Sequence, residues 1–156
     1  MQTKLPKFIL TENLNRLSKW MRMLGYDSVV SKSISFNNIM RIAAKDRRII
    51  LTRDKKHLKL ANKQKVVLIT SVNHLQQIEE LMDILKFDED LLFTRCLECN
   101  KLLYEISKDR IKELVPEYIL EHQKLFKICR KCGRIYWRGT HYKKMLTKLC
   151  NIFNCN

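Results

Sequence analysis

Four of the six cysteines form two C-x2-C pairs, and both pairs lie in the second half of the chain. They are Cys96, Cys99, Cys129 and Cys132. The spacing within each pair lets both thiolates approach one ion at about 2.3 Å, and two pairs complete a tetrahedron. Asn100 and Gly133 follow the second cysteine of each pair, where a tight turn would direct backbone N–H groups at the sulfurs. Because a set of four cysteines leaves no open position, the pattern predicts a structural zinc ion.

Disulfides or redox-active dithiols are the alternatives for these cysteines. Disulfides are disfavoured in a cytoplasmic protein, and a thioredoxin-type dithiol would open a helix after a strand. Cys150 and Cys155 lie at no recognised ligand spacing, so we interpret them as buried or free thiols. His141 could serve as a ligand, but with four cysteines available we expect it to be exposed or to face nucleic acid.

The charge of the chain is strongly positive and one-sided. The formal net charge is +15, and after Glu121, the last acidic residue, nine Lys and Arg residues follow unopposed. Such a field attracts polyphosphate backbones, although the same charge could merely solvate the surface. Aromatic residues interleave with the basic ones, as in proteins that stack on the bases of single-stranded RNA. The nucleic-acid-binding residues predicted here are Arg134, Tyr136, Trp137, Arg138, His141, Tyr142, Lys143 and Lys144. A packing role for Trp137 remains equally open.

Residues 1–90 must provide the scaffold, and they alternate short apolar runs with amphipathic patterns. Strands are predicted at 7–10, 28–30, 49–52 and 65–70, and helices at about 14–24, 37–45, 54–61 and 74–85. Thr11 is a candidate helix N-cap, and Gly25 is placed to end the first helix. Trp20 is in register with the apolar side of that helix, so we expect it in the core. This order predicts an α/β fold with a parallel sheet covered by helices on both faces, whose ligands lie beyond the carboxyl ends of the strands.

The pattern changes after Asp88-Glu89-Asp90, and every cysteine follows residue 95. We therefore predict a domain boundary near residue 90, with domains at 1–90 and 91–156. The second domain is too small to bury a large core, which makes a metal cross-link physically reasonable. No apolar run approaches the length needed to span a bilayer, and the N-terminus lacks the apolar region of a secretory signal. We expect a cytoplasmic location and no membrane partner.

Five segments together carry a family resemblance. They are Phe8-Ile9-Leu10, residues 14–27 with Leu24-Gly25-Tyr26-Asp27, Arg48 to Asp54 with Leu-Thr-Arg-Asp, Arg95 to Asn100, and Cys129 to Tyr142. In order and spacing the chain resembles the Mut-seven C-terminal RNase family over nearly its whole length. The resemblance implies a PIN-like nuclease domain followed by a zinc ribbon with a basic tail.

For a nuclease of that family, the resemblance implies acids at the carboxyl ends of the strands that hold Mg²⁺ or Mn²⁺ and so activate water. Asp54 matches the acid that closes the Leu-Thr-Arg-Asp motif, and Asp27 matches the acid after the Leu-Gly-aromatic segment. Thr11 stands where the family usually carries Asp, and Asn37 and Asn38 stand where another acid is expected. Glu12 could substitute from the position after Thr11.

Three functions follow from these observations. The favoured one is an RNA-binding protein with weakened or lost cleavage, because two acid positions are vacant while the cysteines and the basic tail are intact; ribosomal RNA and tRNA are candidate ligands. The second is an active divalent-metal-dependent ribonuclease that uses Asp27 and Asp54, and the third is a zinc-ribbon protein-interaction adaptor. Asp54 could instead cap a helix, and Arg16 and Arg53 could contact phosphates or pair with the acids.

Overall fold

The computed structural model describes residues 5–32, 35–60 and 63–155. The chain divides into two compact units, Met1–Asn100 and Lys101–Asn156. The boundary expected near residue 90 stays a prediction. Across the described residues, none of the helices combines the length and the apolar character required of a membrane span.

The first unit contains a four-stranded parallel sheet. Its strands are β1 (Lys7–Leu10), β2 (Ser28–Val30), β3 (Arg48–Thr52) and β4 (Val66–Leu68), and they lie in the order β2-β1-β3-β4. Phe8 is paired with Ser28, and Lys7 is paired with Arg48. The amino ends of the three strands β1, β2 and β3 therefore lie side by side, as do their carboxyl ends. The predicted parallel sheet is confirmed.

Among the described residues of this unit, four helices flank the sheet. They are α1 (Asn15–Met23), α2 (Phe36–Asp46), α3 (Lys56–Leu60) and α4 (His74–Glu79). The α2 residues Phe36, Ile39 and Ala43 pack against Ile9 and Ile50. These two isoleucines are paired across β1 and β3, so their side chains lie on the same face of the sheet. The helix predicted to reach Leu85 ends at Glu79, and successive turns continue to Leu85. Ala61, the predicted end of the third helix, lies outside the described residues.

The connections at the two ends of α1 differ in how well the sequence predicted them. The hydroxyl of Thr11 makes no capping bond and donates instead to Asn13 Oδ1 at 2.7 Å, because a 3₁₀ turn at Glu12–Leu14 precedes the helix. Thr11 as the side-chain cap of α1 was therefore wrong. Gly25 does follow the helix, with φ +90°, and its N–H donates to Arg22 O at 3.0 Å. Such a left-handed conformation strongly favours glycine.

The second unit contains a three-stranded antiparallel sheet and two helices. Its elements are β5 (Tyr104–Ile106), α5 (Glu117–His122), β6 (Phe126–Ile128), β7 (Ile135–Trp137) and α6 (Thr140–Phe153), with the strands in the order β5-β6-β7. One face of the sheet packs Phe126 and Trp137 onto a core that contains Ile111. At the border of the sheet, the Arg130 guanidinium lies 4.0 Å from the centre of the Tyr104 ring.

Candidate functional site

The four cysteines predicted as ligands come together. Their sulfur atoms all lie within 4.8 Å of one another, and the set is Cys96, Cys99, Cys129 and Cys132. Ligands about 2.3 Å from a tetrahedral ion are separated by about 3.8 Å, so the cluster can hold a metal ion such as zinc. None of the six cysteines, all of which the structure describes, forms a disulfide, and Cys150 and Cys155 are half-buried. In the part of the chain that the structure describes, no other group of three or more His, Cys, Asp or Glu side chains could hold an ion.

Each C-x2-C pair folds into a turn of the same geometry. The N–H of Asn100 donates to Cys96 O at 2.9 Å, and the N–H of Gly133 donates to Cys129 O at 2.8 Å. Both residues adopt positive φ, at +61° and +72°, which Asn and Gly tolerate best. The N–H of Cys99 points at Cys96 Sγ at 3.3 Å. The predicted tight turns are confirmed, and we refer to them below as the first and second knuckles.

The first knuckle is fastened by an arginine that sequence reasoning missed. The Arg22 side chain is 5% exposed, and its Nη1 donates to Leu97 O at 2.6 Å and to Glu98 O at 3.1 Å. Its Nε donates to Ser28 O at 3.0 Å. Hydrogen bonds from a charged donor to buried carbonyls are among the stronger ones in proteins. Arg22 therefore joins α1, the start of β2 and the backbone between Cys96 and Cys99.

Asp27 directly precedes β2, at the amino ends of the parallel strands. Its Oδ1 accepts hydrogen bonds from Arg48 Nη1 at 2.7 Å and from Asn100 Nδ2 at 2.8 Å. Burial raises the pKa of the Asp27 carboxyl, but the bonds from Arg48 and Asn100 and the charges of Arg48 and Arg95 outweigh it, so the pKa lies below its ordinary value. Asp27 is a carboxylate that donors of its own chain already satisfy.

Asp54 and Glu12 lie at the other end of the same strands. Asp54 follows β3, its N–H donates to Thr52 Oγ1 at 3.1 Å, and its Oδ1 accepts from the Lys56 N–H at 2.9 Å. Its Oδ2 is 3.9 Å from Nε2 of His57, and its side chain is 51% exposed. Glu12 is exposed and follows β1, the neighbour of β3. Asp54 therefore has the local bonds of a residue that starts a helix, as expected from the alternative interpretation.

The chain also matches a known protein family. Residues 6–149 match the Mut7-C RNAse domain. The chain belongs to the Mut7-C RNAse domain family. No curated protein matches it.

Membership of the Mut7-C family raises the question of whether Asp27 and Asp54 can hold one divalent ion. Asp27 is bound to Arg48 at the start of β3, and Asp54 lies two residues beyond Thr52 at its end. The four steps from Arg48 to Thr52 alone span about 13 Å. Asp27 and Asp54 therefore lie at opposite ends of β3, and among the described residues only the four cysteines form a group of three or more side chains that could hold an ion.

The predicted nucleic-acid-binding residues of the second unit separate into two faces. Tyr136 is paired with Lys127, and because successive side chains of a strand alternate, Trp137 lies on the opposite face. There Trp137 packs against Phe126, with ring centres 6.2 Å apart. A Cβ at Gly139 would lie 2.6 Å from Trp137 Nε1, so this glycine makes room for the indole. Trp137 is thus a packing residue.

The remaining predicted residues differ in exposure. Tyr142 is 6% exposed, and the Arg138 guanidinium lies 5.6 Å from the centre of its ring. The exposed side chains are Arg16, Arg134, Arg138, His141, Lys143 and Lys144. Arg53 is half-buried, and its Nε has no hydrogen-bond partner among the residues described. Trp20 is half-buried and stacks on His74 at 5.4 Å.

Proposed function

We propose that this Mut7-C family member binds RNA in the cytoplasm, that its metal-dependent cleavage is weakened or lost, and that its four cysteines hold a structural zinc ion. One observation carries the proposal. Asp27, which the family resemblance assigns to catalysis, forms an ion pair with Arg48 and accepts a hydrogen bond from Asn100, at the opposite end of the strands from Asp54. The basic second unit keeps the features expected for contact with a polyphosphate.

The zinc assignment is supported by the chemistry of the donor set. Four thiolates suit zinc and leave it without an open position for water or substrate. Bound zinc would cross-link the two C-x2-C pairs, which 29 residues separate in the sequence. The residues that would hold it are Cys96, Cys99, Cys129 and Cys132.

The RNA surface that we propose consists of Arg134, Tyr136 and Arg138, together with Lys143 and Lys144 at the start of α6. Within β7 the Tyr136 side chain lies on the face opposite Trp137, and Arg134 and Arg138 directly flank the strand in sequence. The four arginine and lysine side chains are exposed. A half-buried aromatic ring between two arginines suits single-stranded RNA, because the ring can stack on a base while the cations contact phosphates.

Binding of a fluorescently labelled single-stranded RNA, measured by anisotropy between about 50 and 200 mM salt, tests this surface. Replacing Arg134 and Arg138 by Ala should reduce the slope of log affinity against log salt by about 1.4 for single-stranded RNA. Tyr136→Ala should cost about 1 to 3 kcal/mol of binding and leave that slope unchanged. The matched control removes two exposed charges from α3, as Lys56→Ala with Lys59→Ala.

Each outcome of this titration has a defined meaning. If the α3 control loses as much affinity as the arginine variant, the surface is assigned to the wrong part of the chain. If the unmodified chain shows no salt-dependent association with RNA, RNA binding itself is refuted. The adaptor function, in which the second unit contacts a protein, would then be favoured.

A second candidate function is cleavage that relies on Glu12 and Asp54. The observation in its favour is that these acids follow β1 and β3, which are adjacent parallel strands. Incubation of labelled RNA with the chain and Mn²⁺, with and without EDTA, tests it. Asp54→Asn is the matched variant because the amide can still accept the Lys56 N–H. EDTA-sensitive cleavage that Asp54→Asn abolishes would overturn the loss of activity that we propose.

A further inference from the structure

The two knuckles share a backbone conformation but differ in the side chain at the left-handed position. In the second knuckle this residue is Gly133, and a Cβ built there would meet no atom within 4 Å. In the first knuckle it is Asn100, which is 8% exposed. A turn of this kind needs only a residue that tolerates positive φ, and glycine is the least strained choice. The buried asparagine is therefore not explained by the turn alone.

Each polar atom of Asn100 has a hydrogen-bond partner within the first unit. Its Oδ1 accepts the N–H of Ser28 at 3.1 Å, and its Nδ2 donates to Asp27 Oδ1 at 2.8 Å. Its carbonyl accepts from Arg95 Nη1 at 2.9 Å, and its N–H closes the turn onto Cys96. Buried polar groups that are all satisfied fix one conformation, because each alternative leaves a donor or acceptor unpaired.

The hydrogen bonds of Asn100 continue into the sheet through Asp27. Asp27 holds Asn100 and is itself held by Arg48 at the start of β3. Arg95 spans from Asn100 O to Gly25 O, the latter at 3.0 Å from its Nε. The end of the first knuckle is therefore tied to β2, to β3 and to the end of α1 by hydrogen bonds that do not involve the cysteine sulfurs.

We propose that Asn100 is a positioning residue of the metal centre, which together with Asp27 holds Cys96 and Cys99 in their ligating arrangement before the ion binds. This inference rests on the proposal that the four cysteines hold zinc. An ordered half-site lowers the conformational entropy that metal binding must remove. Groups that orient metal ligands without touching the ion typically change metal affinity by about 10- to 100-fold when they are removed.

A reciprocal pair of substitutions tests the role of Asn100. Asn100→Gly keeps the positive φ and the N–H bond to Cys96 and removes only the anchoring side chain. Gly133→Asn places the same side chain in the second knuckle, where no neighbour lies within 4 Å of its Cβ. Zinc affinity is measured by competition with a chromogenic chelator, and the ligand set by the absorption spectrum of the Co²⁺-loaded chain.

The proposal predicts that Asn100→Gly lowers zinc affinity by about 10- to 100-fold, while Gly133→Asn changes it by less than about threefold. The Co²⁺ spectrum should stay that of a four-thiolate site in both variants, because no ligand is altered. Zinc affinity of Asn100→Gly within about twofold of the unmodified chain would overturn the positioning role. An unmodified chain that binds no zinc would refute the zinc assignment itself, which is a separate result.

A second set of variants tests the positioning role of Asn100 if Asn100→Gly does not fold. Asn100→Asp puts two carboxylates against each other and should weaken zinc binding, whereas adding Asp27→Asn restores one donor and one carboxylate with the roles exchanged. Recovery of at least part of the zinc affinity in the double variant, with secondary structure unchanged by circular dichroism, would support the link. A double variant no better than Asn100→Asp alone would overturn it.

Discussion

The structural role of Asp27 can be tested by Asp27→Ala. The Arg48 and Asp27 side chains are only 9% and 17% exposed, and their atoms are 2.7 Å apart. Removing the carboxylate leaves Arg48 with its bonds to Phe8 O and Asp46, and takes away the acceptor of Asn100 Nδ2. Loss of one partner of a buried pair costs about 3 to 5 kcal/mol. Because both side chains retain some solvent contact, we expect Asp27→Ala to lower the free energy of unfolding by about 3 kcal/mol, the low end of that range.

In a chain of this length, 1 kcal/mol corresponds to about 2 to 4 °C in the unfolding midpoint, so the midpoint should fall by about 6 to 12 °C. Trp20 lies in the first unit and Trp137 is the only other tryptophan. In a Trp137→Phe background, the fluorescence of Trp20 therefore reports unfolding of the first unit. Asp109→Ala is the control, because the ion pair of Asp109 with Lys112 is fully on the surface.

We expect no measurable change for Asp109→Ala. If the unfolding midpoint of Asp27→Ala lies within about 1 °C of its parent's, the structural role of the Asp27 carboxylate is refuted. A folded Asp27→Asn variant that loses RNA cleavage, where the parent cleaves, would return Asp27 to a catalytic role.

Three further predictions concern acid, a glycine and the metal. The pKa of Asp27 is lower in the folded chain than in the unfolded one, so its carboxylate stabilises the fold fully above about pH 4, and this stabilisation is lost as the pH falls through the folded pKa. Below pH 4 the unfolding midpoint of the unmodified chain should therefore fall more steeply with pH than that of Asp27→Asn. Parallel curves for the two chains would contradict this. Gly25→Ala should cost about 2 to 4 kcal/mol in urea unfolding, because φ is +90° and the new Cβ would lie 2.5 Å from Leu91 O; a cost below about 1 kcal/mol would show that the turn can relax. Cys132→Ser should release zinc, as measured by metal content after dialysis, and lower thermal stability; full metal retention would contradict the four-cysteine set.

The parallel sheet was predictable because its strands are short apolar runs that recur between helical patterns. The strands β1, β2 and β3 fall within one residue of their predicted positions. The cysteine cluster was predictable for a similar reason, since ligand spacing within each pair is a local property of the chain. Local spacing also identified the turns at Asn100 and Gly133.

The role of Asp27 was not predictable, because its partners are remote in sequence. Arg48 is 21 residues away and Asn100 is 73 residues away, and no periodic pattern connects them. The strand predicted at 28–30 already put Asp27 at its amino end. The sheet register adds what the sequence could not, because it brings Asp27 beside Arg48 and leaves Asp54 beyond Thr52.

The faces of β7 were also beyond the sequence. The run Arg134-Ile135-Tyr136-Trp137-Arg138 has two adjacent aromatics, and a three-residue strand is too short for alternation alone to assign them. Pairing with β6 assigns them, because Trp137 lies opposite Phe126 and Tyr136 lies opposite Lys127. The end of α4 was missed because Leu81 and Leu85 continue a helical period in turns that are not a continuous α-helix.

The short strand β5 at the border of the three-stranded sheet bears on how copies of the chain behave at high concentration. A strand edge is a template for pairing with another molecule, but β5 is only three residues long, and Arg130 holds a cation over its exposed Tyr104 ring. These features of β5 oppose edge-to-edge aggregation, and at low ionic strength the net charge of +15 on every copy opposes it as well, because the copies repel one another. Salt screens that repulsion, so concentrated preparations should remain dispersed in dilute buffer and begin to self-associate as ionic strength rises.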